Sequence, residues 1–245
     1  MTEALRPAAT IREDFREILR PVRPGARVLD VGCGEGDLLD LLAREKGIDG
    51  RGIEISAAGV SACLTRGLAV MQGDADRDLA EFPDRAFDYA ILSQTLQAVR
   101  EPRTVLANLM RLADRAIVSF PNFGHWRVRL ALLATGRMPE TAVLSDPWWS
   151  THNIHLCTVR DFIDLCDELD LRIEAAAALT TGRPARPIDP AGPFENWRAE
   201  SALFLLCRRA SGAGAPATVK ADDLFGEERP GSRRAAGRRK SRPSR

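Results

Sequence analysis

Histidine and tyrosine are scarce in this chain, with three and one respectively among 245 residues. Chemistry that depends on an imidazole or phenol proton shuttle therefore has few side chains to draw on. The five cysteines, at positions 33, 63, 157, 166 and 207, are odd in number and form no C-x-x-C pair, which argues against a disulfide framework. No G-x-S-x-G elbow occurs, which disfavours a self-contained hydrolase or acyltransferase. Neither a signal-peptide pattern nor an apolar run long enough to span a bilayer is read in the sequence, so the expectation is a reducing cytoplasm and no membrane partner.

What is present suits a globular protein. Hydrophobic residues make up 44% of the chain, and the length fits one domain with appendages. The net charge of +1 conceals an asymmetry: from Arg208 to Arg245 eleven basic residues face four acidic ones, leaving the remainder at −6. Residues 229 to 245 are rich in Arg, Pro, Gly and Ser and carry no apolar period, so a disordered basic tail is expected over 209–245. A basic tail solubilises, and it also suits an acidic or nucleic-acid partner. The sequence after the fourth strand reads Ser93-Gln94-Thr95-Leu96 rather than an Asn/Asp-Pro-Pro-Tyr/Phe motif, so a nucleic-acid substrate is not expected.

The most informative stretch is Val28-Leu29-Asp30-Val31-Gly32-Cys33-Gly34-Glu35-Gly36. It reads as a buried strand with an acid near its end, then three alternate glycines entering a helix over Asp37 to Lys46. Such glycines permit a tight turn and close approach of a ligand to backbone, and the helix start aims free N–H groups at the same point. A dinucleotide fingerprint spaces its glycines G-x-G-x-x-G. The D-x-G-x-G-x-G pattern here resembles instead motif I of class I S-adenosylmethionine (SAM) methyltransferases. About 20 residues on, the strand Arg51 to Ile55 presents Glu54, a carboxylate suited to a ribose diol because it accepts hydrogen bonds and repels phosphate. A third apolar run, Leu68 to Gln72, precedes Gly73-Asp74-Ala75-Asp76, and the resemblance places an acid there near the adenine. Asp76 taken alone reads as a solvated strand-end residue. Phe87 to Ser93 reads as a fourth strand, and its C-terminal end, Ser93-Gln94-Thr95-Leu96, is implied to face the sulfonium. The cofactor-binding candidates are Asp30, Gly32, Cys33, Gly34, Gly36, Glu54, Ile55, Asp74 and Ser93, and the implied cofactor is SAM or S-adenosylhomocysteine.

Alternation sets the fold class. A helical segment over Ile11 to Leu19 precedes strand Arg27–Val31. Helices at 57–66, 102–112 and 159–169 then alternate with the strands already named and with 116–120, and 171–178 and 202–208 supply two late strands. This order is that of a parallel sheet wrapped by helices, an α/β protein. The resemblance makes it a Rossmann-like class I methyltransferase fold, a mostly parallel seven-stranded sheet with helices on both faces. The organisation expected is an N-terminal helical extension at 1–20, the methyltransferase-like domain at 21–208 and the basic tail.

A second signature is more specific. Ser93-Gln94-Thr95-Leu96-Gln97-Ala98-Val99, Phe120-Pro121-Asn122-Phe123-Gly124-His125-Trp126-Arg127-Val128-Arg129-Leu130, Gly136-Arg137-Met138-Pro139 and Asn153-Ile154-His155-Leu156-Cys157 together resemble the methionine biosynthesis protein MetW family, over about residues 22 to 208. Where that family commonly carries a Trp-Tyr-Asp-Thr-Pro-like stretch before Asn-Ile-His, this chain has Trp148-Trp149-Ser150-Thr151-His152. The resemblance implies a role in methionine synthesis and a partner, homoserine O-acetyltransferase, whose activity needs this protein. It does not by itself secure a methyl acceptor.

Other residues are candidates for chemistry. His125 is a candidate base near the methyl position or a cap of the helix beginning at Trp126. His152, His155 and Cys157 give H-x-x-H-x-C, but no second pair supplies the four ligands a structural zinc site needs, so no metal is expected. Cys33, at a helix start, is either a thiol of lowered pKa or a small residue in a tight turn. The segment from Trp126 to Trp149, with Arg127, Arg129 and Arg137 along an apolar stripe, reads equally as core and as partner surface.

Overall fold

The computed structural model describes residues 12–141, 144, 146–190, 192 and 194–209. In chain order the elements are α1 (Glu13–Leu19), β1 (Arg27–Val31), α2 (Asp37–Lys46), β2 (Asp49–Glu54), α3 (Ala57–Thr65), β3 (Val70–Gln72), α4 (Ala75–Asp78), β4 (Phe87–Ser93), α5 (Pro102–Leu112), β5 (Ala113–Pro121), α6 (Trp126–Thr135), α7 (Val159–Glu168), β6 (Leu171–Thr180), β7 (Arg183–Pro187), α8 (Glu195–Arg198) and β8 (Ser201–Arg208). Local chemistry explains several boundaries. Pro102 opens α5 in the first helical turn, where a missing N–H is harmless. Thr158 and Asp161 close a reciprocal capping box at the start of α7. Gly47 and Gly136 end α2 and α6 in the left-handed region.

The strands form one sheet in the order β3-β2-β1-β4-β5-β8-β6-β7. β1 pairs in parallel with both β2 and β4, and β4 pairs in parallel with β5. β8 runs antiparallel between β5 and β6. Strand order therefore reverses at β1, and the crevice above the carboxyl ends of β1 and β4 is where open α/β sheets bind ligands. The α/β fold with helices on both faces is as expected.

The sheet has eight strands, however, not seven. The additional one, β7, pairs antiparallel with β6 and forms the edge. Its sequence Arg183-Pro184-Ala185-Arg186-Pro187 holds two prolines, which cannot donate to a ladder. That composition argues against a strand in sequence and is tolerated here only because one side of β7 is unpaired.

Side-chain alternation loads both faces. Leu29, Val31, Leu92, Val118 and Phe120 point to one core with Val105, Leu106 and Leu109 of α5 and Phe162 and Cys166 of α7. Val28, Tyr89, Ile91 and Ile117 point to the other, against Phe15 and Ile18 of α1 and Leu38 and Leu42 of α2. Phe120, Phe162 and Phe204 tie β5, α7 and β8 together, with ring centroids 4.7 to 5.8 Å apart. α1 is thus seated in the core of the sheet's second face. The expectation of a disordered tail concerns residues that, from 210 onward, lie outside those described.

Candidate ligand-binding site

The glycine turn joins β1 to α2 at the reversal of strand order. Gly32 has φ +73°, and a Cβ there would come within 2.6 Å of the Thr95 side chain. Gly34 has φ +56°, and a Cβ there would meet nothing within 4 Å. The turn is therefore closed beneath Gly32 and open above Gly34, which leaves backbone reachable by a ligand. The N–H groups of Gly32 and Cys33 both donate to Ile53 O, at 2.8 and 3.3 Å, fixing the turn to β2.

Glu54, at the end of β2, is 8% exposed and completes the turn. Its Oε2 accepts the Gly34 N–H at 2.8 Å and its Oε1 accepts the Ser56 N–H at 2.8 Å. A carboxylate offers about four lone-pair sites, so capacity for a diol remains. α3 packs against the turn so closely that a Cβ on Gly59 would lie 2.8 Å from Gly34 O. Arg66, following α3, pairs with Asp37 at 2.6 Å and Asp40 at 2.8 Å and donates to Glu35 O, clamping the start of α2.

Asp30 on β1 is 2% exposed. Burial pushes its carboxyl up to about 7; Arg12 opposes the shift, and Glu54 and Asp14 add to it. Cys33 is buried and its Sγ lies under Gly52, where a Cβ would approach to 2.7 Å. Burial raises this thiol's pKa, the opposite of the lowering a helix start can give.

Gly32, Ile55 and Asp74 line a cleft of about 300 Å³ together with Thr95, Val99 and His152. Ile55 is 66% exposed, an apolar side chain left at the mouth of a pocket. Asp74 caps α4, its Oδ1 accepting the Asp76 N–H at 3.0 Å. Asp76 accepts the N–H groups of Arg100 and Glu101, both at 2.9 Å, and so holds the entry to α5.

Ser93 is drawn into a different arrangement. Its hydroxyl donates to Asp14 Oδ2 at 2.9 Å and accepts from Arg12 at 3.2 Å. Ser119, its register partner on β5, donates to the same Asp14 oxygen at 3.3 Å. Arg12 also pairs with Asp14 at 2.6 Å. The start of α1 thus roofs the carboxyl ends of β4 and β5. Gln94, directly after β4, holds φ +54°, a left-handed conformation uncommon for a non-glycine residue and common at functional turns.

His125 caps the start of α6 through its backbone and is 5% exposed. Burial lowers its pKa below the usual histidine value, Glu200 opposing and Arg127 adding to the shift, and it is not among the residues lining the cleft. His155 Nε2 donates to Arg100 O at 3.2 Å and its backbone N–H donates to Gln97 O at 3.0 Å, so it pins the loop that carries His152. Among the described residues no three His, Cys, Asp or Glu side chains are grouped to hold a metal ion. Likewise, no helix of the described residues is long and apolar enough to cross a membrane.

Sequence reasoning placed Thr95 at the ligand end of β4 and missed Val99 and His152 as cleft residues, and Arg12 and Asp14 above the strand ends. His152 was weighed only as a metal ligand.

Comparison with known proteins gives the fold type and the family. In solved structures the chain is similar to a SAM-dependent methyltransferase of Thermotoga maritima, described as a possible histamine N-methyltransferase, at 17% identity and TM-score 0.57, covering 81% of this chain and 90% of that one. It is also similar to the cyclase SpnF, at 17% identity and TM-score 0.55, covering 80% of each chain. At this identity the likeness shows the fold alone, which is the class I methyltransferase type. A closer relative in sequence is the bifunctional methionine biosynthesis protein MetXA/MetW of Rhodopirellula baltica, 33% identical over 174 residues. The match takes in 67% of this chain and only 28% of that protein's length. The family described as methionine biosynthesis protein MetW matches residues 12–206, nearly the whole described fold. This chain belongs to the MetW family.

Proposed function

We propose that this protein binds SAM or S-adenosylhomocysteine in the cleft above β1 and β4, and activates homoserine O-acetyltransferase as its partner. The observation that carries the partner reading is the relative whose single chain joins MetXA to a MetW segment. Two activities fused in one chain work at close quarters, as two separate chains would in a complex. The exposed side chains of α6 and the loop after it support this reading. Of the ten residues of α6 only Val128 is buried, and Leu130 and Leu133 are 54% and 85% exposed. Trp148 and Trp149, on the loop after α6, are 70% and 71% exposed. A run of exposed Trp and Leu bordered by Arg127 and Arg137 is the composition of an interface rather than of a core.

The ligand reading rests on fit. The Gly34 turn is open to an approaching group, Glu54 keeps acceptor capacity for a ribose diol, and Ile55, Asp74 and Val99 help line a partly apolar cleft of about 300 Å³. A bound SAM supplies an electrophilic methyl group, and as the downstream product of methionine it also suits a feedback signal. A ligand that favours one state of the complex shifts the partner's activity by its differential affinity. Sedimentation of the two purified proteins, with and without SAM, tests the partner reading. A heteromeric species supports it, and two independently sedimenting proteins contradict it.

A second reading is a SAM-dependent methyltransferase with a small-molecule acceptor. It is favoured by a pocket of about 320 Å³ lined by Phe123, Met138, Leu144, Trp148 and Ile154. Thr151 and Asn153 line this pocket while His152 lines the SAM cleft, so one turn of chain separates the two. In-line transfer needs little beyond such positioning. Transfer of labelled methyl from SAM into a metabolite extract favours this reading; none across a broad extract counts against it.

A further inference from the structure

A separate, larger depression of about 650 Å³ lies between the N-terminal half of α7, the start of α6 and the chain entering α8. Apolar groups and arginines share its walls. Phe194 and Trp197 line it while 68% and 50% exposed, and Ile163 contributes from α7. Arg160 of α7 and Arg129 of α6 supply positive charge, with the Arg129 guanidinium 5.7 Å from the Trp197 ring centre, against a single acid, Asp164. The depression thus offers exposed aromatic rings and two cations, which fits a short acidic, apolar peptide.

The chain carries one such peptide outside the described residues. Within 210–245 there is a single leucine and a single phenylalanine, adjacent at 224 and 225. All four acids of that stretch flank them, as Asp222-Asp223-Leu224-Phe225-Gly226-Glu227-Glu228. We propose that Asp222–Glu228 seats in this depression of its own chain, Leu224 and Phe225 against Phe194 and Trp197, the acids toward Arg160 and Arg129.

Chain length and exit point agree. β8 ends at Arg208, and Arg209 pairs with Asp167 at 3.4 Å and Asp170 at 3.2 Å, which fixes the exit beside the C-terminal end of α7. From there to Arg160 and Ile163 is a climb of about 10–15 Å along α7 at ~1.5 Å per residue. The twelve intervening residues, 210–221, can span at most about 40 Å when extended, well over that climb. A tether long enough to span its site makes the contact intramolecular, so a modest contact is populated in cis. Seated there, the segment would also bring the arginine-rich stretch from Arg229 onward beside α6.

Hydrogen exchange on the full-length chain tests this. The expected result is amides of 222–228 slowed by roughly ten-fold or more relative to a Leu224→Ala/Phe225→Ala chain, together with those around Trp197. Arg160→Glu should remove most of the protection, and Arg160→Glu combined with Asp222→Lys/Asp223→Lys should restore it. Unprotected amides at 222–228 in the unaltered chain would overturn the proposal, as would protection that survives both Phe225→Ala and Arg160→Glu. Protection that rises with protein concentration would also overturn it, since it would place the segment on a second copy.

Discussion

Glu54 accepts the backbone N–H of Gly34 at 2.8 Å across 20 residues of sequence, so the acid that ends β2 and the turn that ends β1 form one unit. The same carboxylate is the group proposed to meet the ribose, and it therefore shapes the turn as well as offering a ligand contact. Replacing it with Glu54→Gln keeps the size but removes the charge and one acceptor. Hydrogen bonds to charged groups are worth about 1.5–3 kcal/mol, so SAM affinity should fall roughly 10- to 100-fold. Isothermal titration measures this; unchanged affinity would remove Glu54 from the site.

Two glycines of the turn should respond differently. Gly34→Ala forces an L residue to φ +56°, at about 1–2 kcal/mol, but its methyl meets open space. The loss should therefore be mostly in ligand binding, because the methyl occupies the side from which a ligand approaches. At Gly36, φ is +81° and a Cβ would press on Leu68 and lie 2.9 Å from Cys63 Sγ. Gly36→Ala should lower the thermal midpoint further, by about 2–3 kcal/mol in unfolding free energy. Melting curves with and without ligand separate the two effects, and the reverse ranking would contradict this account of the turn.

Asp30 predicts a pH signature. Its carboxyl is raised from 3.8 to about 7 chiefly by burial. Between those values the folded chain holds more protons than the unfolded one, so stability should decline as pH rises through that window and stay lower above it. Asp30→Asn lacks this titration, and its denaturation midpoint should change less over the same range. A cationic ligand near the ionised carboxylate would in turn bind more tightly as pH rises past about 7, and the Asn variant should lose that dependence. Parallel slopes for the two proteins would rule Asp30 out as the source.

Trp148 and Trp149 stand outside both cores, so Trp148→Ala/Trp149→Ala should leave the melting temperature within about 0.5 kcal/mol of the parent in stability terms. Affinity for the acetyltransferase should drop by about 2 kcal/mol or more, roughly 30-fold, as for aromatic hot spots. Surface plasmon resonance against the cognate enzyme reads this directly, and full retention of binding would move the interface elsewhere.

Much of the fold was legible because its signals are local. β1, the glycine turn and α2 follow one another in 20 residues, and Thr158 with Asp161 marks α7 at a spacing of three. β7 was hidden by its prolines, since only an edge position tolerates them. The roof over β4 and β5 was hidden by distance: Asp14 meets Ser93 and Ser119 across 79 and 105 residues, and no motif marks the Asp14 end. His152 reaches the cleft on the loop after α6, whose path no periodicity encodes.

If this chain serves homoserine O-acetyltransferase, as proposed, the rate of homoserine acetylation depends on it. The cognate enzyme would be assayed alone and with the full-length chain added at equal concentration, both proteins verified as folded. A clear rise in rate is predicted, one that Trp148→Ala/Trp149→Ala abolishes without loss of SAM binding. An identical rate with and without the chain would contradict the account and favour an independent methyltransferase.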